Sequence, residues 1–165
     1  MPVIDAYIGL GSNLADPQAQ VSRALQELSE IKNTQLIKSS SLYISKPMGP
    51  SDQPDYINAV AKIATQLSPE ELLSALQEIE QAHQRERKQQ RWGPRTLDLD
   101  IILFGELQMD TTRLQIPHYG VAVREFVLVP LQELQSDLLI PGKGSVADLV
   151  DQLPSYKLER IENSE

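Results

Sequence analysis

Apolar residues recur along the chain with two different periods. Val21, Ala24, Leu25, Leu28 and Ile31 fall at helical spacing and predict one amphipathic helix from Pro17 to Ile31. Asp16-Pro17 opens it with an N-cap oxygen and a proline whose fixed φ suits the first helical turn. Leu72, Leu76, Ile79 and His83 repeat the pattern, and Ser68-Pro69-Glu70-Glu71 starts that second helix with a capping box. Ile57, Ala59, Ala61 and Ile63 alternate instead, so Tyr56 to Thr65 reads as a strand with one apolar side. Ala6 to Gly9, after Val3-Ile4, reads as a short buried strand that Gly9 and Gly11 break. Leu36 to Ile44, Leu97 to Phe104 and Phe126 to Leu131 read as further strands. The prolines and glycine of Lys46 to Pro54 make that stretch a loop. Gln84 to Arg95 is polar and basic and reads as an exposed loop, Gly105 to Tyr119 is turn-rich, and the tail after Gly142 reads as a short helix followed by weakly ordered residues near Glu165.

The order strand–helix–strand–strand–helix–strand predicts an α+β fold, a ferredoxin-like β-α-β-β-α-β sandwich with a C-terminal extension. The 165 residues suffice for one domain with a real core, so residues 1–165 are expected to form a single domain. That fold hosts many activities, and function has to be read from the site.

Composition narrows the possibilities. A net charge of −8 opposes broad nucleic-acid or anionic-membrane binding, both of which need a basic footprint. Aromatic residues are 5% of the chain, and the central strands lack the stacking pairs of an RNA-binding sheet. With no cysteine, disulfides, thiol nucleophiles and cysteine-ligated zinc are excluded. The N-terminus shows no basic segment leading into an apolar one, and no apolar run approaches the roughly 18 residues of a membrane span. A cytoplasmic monomer is the expectation.

The candidate chemistry concentrates in one stretch. Asp98 and Asp100 lie two apart on a strand, so both carboxylates point to one face. Two readings stand at this level: a solvated strand face with salt bridges to nearby arginines, or a seat for a hard dication such as magnesium with phosphate. Just upstream, Arg85, Arg87, Lys88, Arg91 and Arg95 supply five of the chain's 15 Lys and Arg residues in an otherwise acidic protein. Alone they are a solvated charge run. Feeding into paired acids, they are what phosphoryl chemistry needs, because guanidinium forks grip phosphate oxygens bidentately. Trp92 is a flat surface for a planar ring or an ordinary packing residue. Gly9-Leu10-Gly11-Ser12-Asn13-Leu14 lacks the third glycine of a dinucleotide-binding turn, and the chain contains no P-loop. Gly11 allows close approach of a ligand to the backbone, and a plain tight turn explains it equally well. Taken alone, His118 reads more readily as structural than as a phosphate donor, and Asn58 more readily as a satisfied polar side chain than as a contact to a heterocycle.

Several stretches together resemble the hydroxymethyldihydropterin pyrophosphokinase family: Tyr7-Ile8-Gly9-Leu10-Gly11-Ser12-Asn13-Leu14, Pro47-Met48-Gly49-Pro50 through Gln53-Pro54-Asp55-Tyr56-Ile57-Asn58-Ala59, Arg91-Trp92-Gly93-Pro94-Arg95-Thr96-Leu97-Asp98-Leu99-Asp100-Ile101, Ile116-Pro117-His118-Tyr119 and Arg124-Glu125-Phe126. The resemblance implies transfer of a pyrophosphoryl group from ATP to the hydroxymethyl oxygen of 6-hydroxymethyl-7,8-dihydropterin, with AMP leaving, in folate biosynthesis. It implies that Asp98 and Asp100 bind two Mg2+ ions and that Arg85 and Arg95 clamp phosphates and assist transfer. Gln77, Glu80, Arg87, Arg113, His118 and Tyr119 fall at ATP-contacting positions, with Ile101 and Leu114 near the adenine. Gly11, Ser45, Met48, Tyr56, Asn58, Trp92 and Phe126 fall around the pterin, with Arg124 close by. Ser45 stands where the family has threonine, Lys46 where many members have proline, and Ala122 at an often basic position. The rival expectations are a non-catalytic ferredoxin-like module that binds a small molecule and a single-phosphoryl kinase that releases ADP.

Overall fold

The computed structural model describes residues 2–12, 16–45, 56–85, 97–118, 121, 124–153 and 158–161. In chain order they form β1 (Ile4–Ser12), α1 (Pro17–Leu28), β2 (Thr34–Ser39), β3 (Tyr43–Ser45), β4 (Tyr56–Thr65), α2 (Pro69–Arg85), β5 (Asp98–Phe104), β6 (Met109–Asp110), β7 (Gln115–Ile116), α3 (Glu125–Leu134), β8 (Leu139–Ile140), β9 (Gly144–Ser145), α4 (Val146–Asp151) and β10 (Leu158–Arg160). The fold is mixed α and β around an antiparallel sheet. In it, β1 runs between β4 and β5, the other edge of β4 pairs with β2 and β3, and β10 lies outside β3. No helix among the described residues is long and apolar enough to cross a membrane.

The period of two along the strands builds two cores. Ala6, Ile8 and Leu10 of β1, Ile57, Ala59, Ala61 and Ile63 of β4, and Leu99 and Ile101 of β5 face one side. There they pack on Val21, Ala24 and Leu28 of α1 and on Leu72 and Leu76 of α2. Tyr7, Val60 and Ile102 face the other side and meet Val127, Leu128, Leu131 and Leu134 of α3 and Val146 and Leu149 of α4. His83, fully buried on α2, spans to α1 by contacting Gln20 Oε1 through Nδ1 and Glu27 Oε1 through Nε2.

Both predicted helix starts are present. Asp16 accepts from the Ala19 amide at 3.4 Å. Ser68 Oγ accepts from the Glu71 amide at 3.1 Å while Glu71 Oε1 accepts from the Ser68 amide at 2.9 Å, a reciprocal capping box. Ser68→Ala removes one arm of it and is expected to lower Tm by about 2–4 °C, for a loss of about 1 kcal/mol, in a calorimetric scan.

Several elements depart from the sequence reading, each for a local reason. β1 does not break at Gly9 and Gly11 but runs through both to Ser12. The glycines are there because neighbours fill the space a side chain would take. A Cβ at Gly9 would lie 3.0 Å from Ile102 Cδ1, and one at Gly11 would lie 3.0 Å from Asn58 Oδ1. α1 stops at Leu28, since Ser29, Glu30 and Ile31 turn back through bonds to the carbonyls three residues before them. α2 continues through Arg85, so Gln84 and Arg85 are helical, while the rest of the predicted basic loop lies outside the described residues, as does the Lys46 to Pro54 loop.

The predicted strand Phe126 to Leu131 is helix α3. Its unbroken apolar run carries no period, and a run of that kind suits a helix wedged between a sheet and α4 as well as it suits a buried strand. Within it Pro130 has no N–H to give to the Phe126 carbonyl, and the helix tolerates this because tertiary packing holds it. After α4 the chain returns as β10 to pair with β3, a strand the sequence reading does not include, while the residues nearest Glu165 lie outside the described residues.

The predicted strand Leu36 to Ile44 is divided. Ser39 pairs with Ala61 and Tyr43 with Asn58, so three residues (40 to 42) oppose two (59 and 60), as at a β-bulge. Ser40 fills the gap by bonding Val60 through its amide and its side chain. The Ser41 amide turns outward and donates to both carboxylate oxygens of Glu133 on α3, at 3.0 and 3.1 Å. The Ser41 and Tyr43 hydroxyls donate to the same carboxylate at 2.8 and 2.7 Å, and Arg160 of β10 stands 3.5 Å from it. Burial pushes the Glu133 pKa up, but the bonds from Tyr43 and Ser41 and the nearby Arg160 outweigh it and hold it below its ordinary 4.5. The folded value is thus depressed. The contact stabilises the fold fully above the unfolded value and is lost as pH falls through the lower folded one. Glu133→Gln should therefore flatten the acid limb of stability against pH, as read from urea midpoints between neutral pH and pH 3.

Candidate active site

Asp98 and Asp100 alternate along β5 with Leu99 and Ile101, which are buried against the helices. The two carboxylates therefore point to the opposite, α3-side face. The register then defines what lies beside them. Asp100 pairs with Gly9 and Asp98 with Gly11, and across β1 the same Gly11 pairs with Asn58, which pairs in turn with Tyr43. Asp98, Gly11, Asn58 and Tyr43 thus form one row across four strands. Two strand spacings, about 10 Å, separate the acid from the amide, and the position between them has no side chain. The result is a narrow shelf with acids at one end and an amide at the other, its two glycine positions overhung by Ile102 and Asn58.

Each end is fixed by its neighbours. Glu80 of α2 accepts from the Leu99 amide at 2.7 Å, which ties the helix to the strand between the two acids. Asn58 and Ser45 are both buried, and Asn58 Nδ2 donates to Ser45 Oγ at 2.7 Å. That bond turns Asn58 Oδ1 over the backbone of Gly11. Tyr56, paired with Ser45, is half-buried on the same face.

The segment after β7 closes the acid end. Ile116-Pro117 is cis, and the next residue, His118, donates its amide to the Ile102 carbonyl at 3.0 Å. Its Nε2 lies 3.9 Å from Asp100 Oδ2, with the imidazole 15% exposed and Asp100 50% exposed. Burial pulls the His118 pKa below its ordinary 6.5 and nearby Arg124 adds to this, while Asp100 opposes both. The ring is then neutral near pH 7 and keeps one N–H to donate. Arg124 sits at the N-cap of α3 with its guanidinium 5.7 Å from the centre of the Phe126 ring, a cation–π arrangement.

The structure thus brings together Asp98, Asp100, His118, Gly11, Asn58, Ser45 and Tyr56 on one face, with Arg124 beside His118 and Phe126 beside Arg124. Gln77 is exposed on α2 one turn before Glu80, and Arg113 is exposed and ion-paired to Glu70 at 3.5 Å. Ile101 and Leu114 do not share the acids' face, since both are buried in the core on the α1/α2 side. Arg85 ends α2. Met48, Arg87, Trp92, Arg95 and Tyr119, with Lys46 and Ala122, lie outside the described residues. The sequence reading missed Gly9, although its spacing of two from Gly11 puts both on one strand face. It also missed that Ser45 orients Asn58, a non-local contact with no sequence signal.

The acids suit magnesium by their donor set. They offer only oxygens and are partly open, and no cluster of three or more His, Cys, Asp or Glu surrounds them among the described residues. Magnesium takes one or two carboxylates and keeps its other positions for water and phosphate oxygens.

Comparison with known proteins shows the family and the fold. The sequence model of the 7,8-dihydro-6-hydroxymethylpterin-pyrophosphokinase (HPPK) family matches residues 7–136. The 2-amino-4-hydroxy-6-hydroxymethyldihydropteridine pyrophosphokinase of Haemophilus influenzae is 52% identical over 159 residues, covering 96% of this chain and 99% of the relative. The enzyme of that name from Pseudomonas aeruginosa is 48% identical over 155 residues, covering 94% and 95%. An HPPK-DHPS crystallised with substrates superposes with a TM-score of 0.72 at 12% identity, over 92% of this chain and 43% of that one. Plasmodium falciparum HPPK-DHPS gives 0.70 at 12% identity, over 91% and 45%. This chain spans less than half of those two chains, and the likeness to them is one of fold. By the family match and the two close relatives, the chain belongs to the 7,8-dihydro-6-hydroxymethylpterin-pyrophosphokinase family.

Proposed function

We infer that the chain is a 2-amino-4-hydroxy-6-hydroxymethyldihydropteridine pyrophosphokinase of folate synthesis. It transfers the terminal pyrophosphoryl group of ATP to the hydroxymethyl oxygen of 6-hydroxymethyl-7,8-dihydropterin and releases AMP. The row Asp98–Gly11–Asn58 carries the reading: acids for the phosphate end, a glycine that leaves room for the Asn58 amide, and that amide for the ring's polar edge.

Two magnesium ions held by Asp98 and Asp100 would neutralise triphosphate charge, as phosphoryl transfer requires. Neutral His118 donates its N–H to a phosphate oxygen, Arg85 and Arg95 clamp phosphates and assist transfer, and Gln77, Glu80, Arg87, Arg113 and Tyr119 make further contacts to ATP. Glu80 keeps the strand in place, so the spacing of the acids survives binding of a charged substrate. Because Ile101 and Leu114 are buried, the adenine is read against their backbone. On the pterin side Asn58 Oδ1 accepts from a ring N–H, while Ser45 prevents the amide from turning over. Phe126 and Trp92 cover the ring faces by stacking, and Met48, Tyr56 and Arg124 complete the rim. Little covalent chemistry is asked of the protein, which orients the hydroxymethyl oxygen and the reacting phosphorus and excludes water.

The frame is read as ferredoxin-like. The order β5-β1-β4 followed by β2 and β3, with α1 and α2 on one face, supports that reading. Residues 1–165 are read as one domain. A cytoplasmic monomer that takes small substrates and binds neither nucleic acid nor membrane fits the net charge and the scattered exposed apolar residues Val3, Ile37, Leu107 and Leu139.

Incubation with ATP, Mg2+ and the pterin, followed by chromatography of the nucleotides, tests the reading. AMP formed only with pterin is expected. ADP would indicate a single-phosphoryl kinase, and no turnover by folded protein would indicate a binding module. A second expectation concerns the shelf. Gly11→Ala drives a Cβ against Asn58 Oδ1 and should raise the pterin KM about tenfold while leaving the ATP KM unchanged in steady-state kinetics.

A further inference from the structure

Glu133 lies far along α3 from the candidate site, yet its contacts converge on the elements that carry it. Phe126 and Glu133 are seven residues apart on α3, two helical turns, and so lie on one side of the helix. Tyr43 and Ser45 are two apart on β3 and so share one face of the strand. Glu133 takes the Tyr43 hydroxyl and both donors of Ser41 at the bulge that opens β3. Ser45, at the far end of the same three-residue strand, holds Asn58. Arg160 approaches the same carboxylate from β10, whose Leu158 pairs with Ser45. One half-buried carboxylate therefore joins α3, β3 and β10, and among the described residues its partners Ser41, Tyr43 and Arg160 belong to β3, its bulge or β10.

We propose that Glu133 is a positioning residue for the pterin end of the site: by fixing β3 against α3 it sets Ser45, and through Ser45 the direction of the Asn58 amide over Gly11. This rests on reading the Asn58 end of the shelf as the pterin subsite. The acid end does not depend on it, because Asp98 and Asp100 are held through β1 and Glu80 on the opposite side of the sheet. A glutamine at 133 keeps the shape and one acceptor oxygen. It cannot receive all the Ser41 and Tyr43 donors, because its amide nitrogen donates. β3 is then free to shift, and the loss falls on pterin binding alone.

The test uses the full chain and two variants, Glu133→Gln and Tyr43→Phe. The second removes one hydroxyl at an otherwise intact strand, so the test survives if the first folds poorly. The readouts are KM for pterin and for ATP, kcat, and the NMR signal of the Asn58 side-chain amide without ligands. The expected result for each variant is a pterin KM raised about five- to tenfold, with ATP KM and kcat within about twofold. The Asn58 signal should be displaced, and the double variant should be no worse than Glu133→Gln. Pterin KM within twofold of the parent despite a lowered Tm would reduce Glu133 to a stability contact and overturn the proposal, as would pterin and ATP KM rising in step. Failure of the pyrophosphokinase reading is separate, since it would show in the parent protein as an absence of pterin turnover, and the proposal would fall with it.

Discussion

Asp98→Asn is expected to fold normally and to lose about a thousandfold or more in kcat. The estimate follows from the electrostatic nature of the reaction. A pyrophosphoryl group in transit carries charge on several oxygens, and removing one preorganised stabilising group from such a site costs about a hundred- to a thousandfold. Here the carboxylate would also anchor magnesium, adding several kcal/mol of charge stabilisation. Asp100→Asn should behave alike, since both acids lie on one face opposite the two glycines. The distinguishing measurement is the rise in Tm on adding ATP with Mg2+: it should be clear in the parent and absent in either variant. A variant that keeps both that rise and its turnover would show that the paired acids are only a solvated strand face.

The second large effect is expected on the other substrate. Asn58→Ala should raise the pterin KM about ten- to a hundredfold with ATP binding unchanged, as measured by separate titrations of the two ligands. Asn58 is buried in the central sheet with its Nδ2 committed to Ser45, so its Oδ1 has one direction to point. A ring N–H brought there without an acceptor loses a buried hydrogen bond, which costs about 1–3 kcal/mol. Equal losses for ATP and pterin would show instead that Asn58 only supports the sheet.

How far the chain could be read beforehand follows from which signals are local. The capping box at Ser68 and Glu71, the N-cap at Asp16 and the alternation of β4 are written in adjacent residues, and all three are found in place. α3 was misread because its apolar run is buried on more than one side, which erases the period that separates helix from strand. Gly9 and Gly11 were misread as breaks because their purpose lies in Ile102 and Asn58 on neighbouring strands. β10 was missed because three residues pairing with an edge strand carry no pattern of their own. The site divides in the same way. That Asp98 and Asp100 share a face follows from their spacing alone. The row to Gly11 and Asn58, the hold of Glu80 on Leu99 and the convergence of donors on Glu133 depend on register and packing, which only the folded chain reveals.

The transfer of two phosphoryl groups together, at the paired acids, is tested most directly with ATP labelled at the β-phosphorus. Incubated with the protein, Mg2+ and 6-hydroxymethyl-7,8-dihydropterin, the label should move to the pterin product and leave unlabelled AMP, with no transfer by Asp98→Asn. Label remaining on ADP, or transfer that persists in Asp98→Asn, would contradict it.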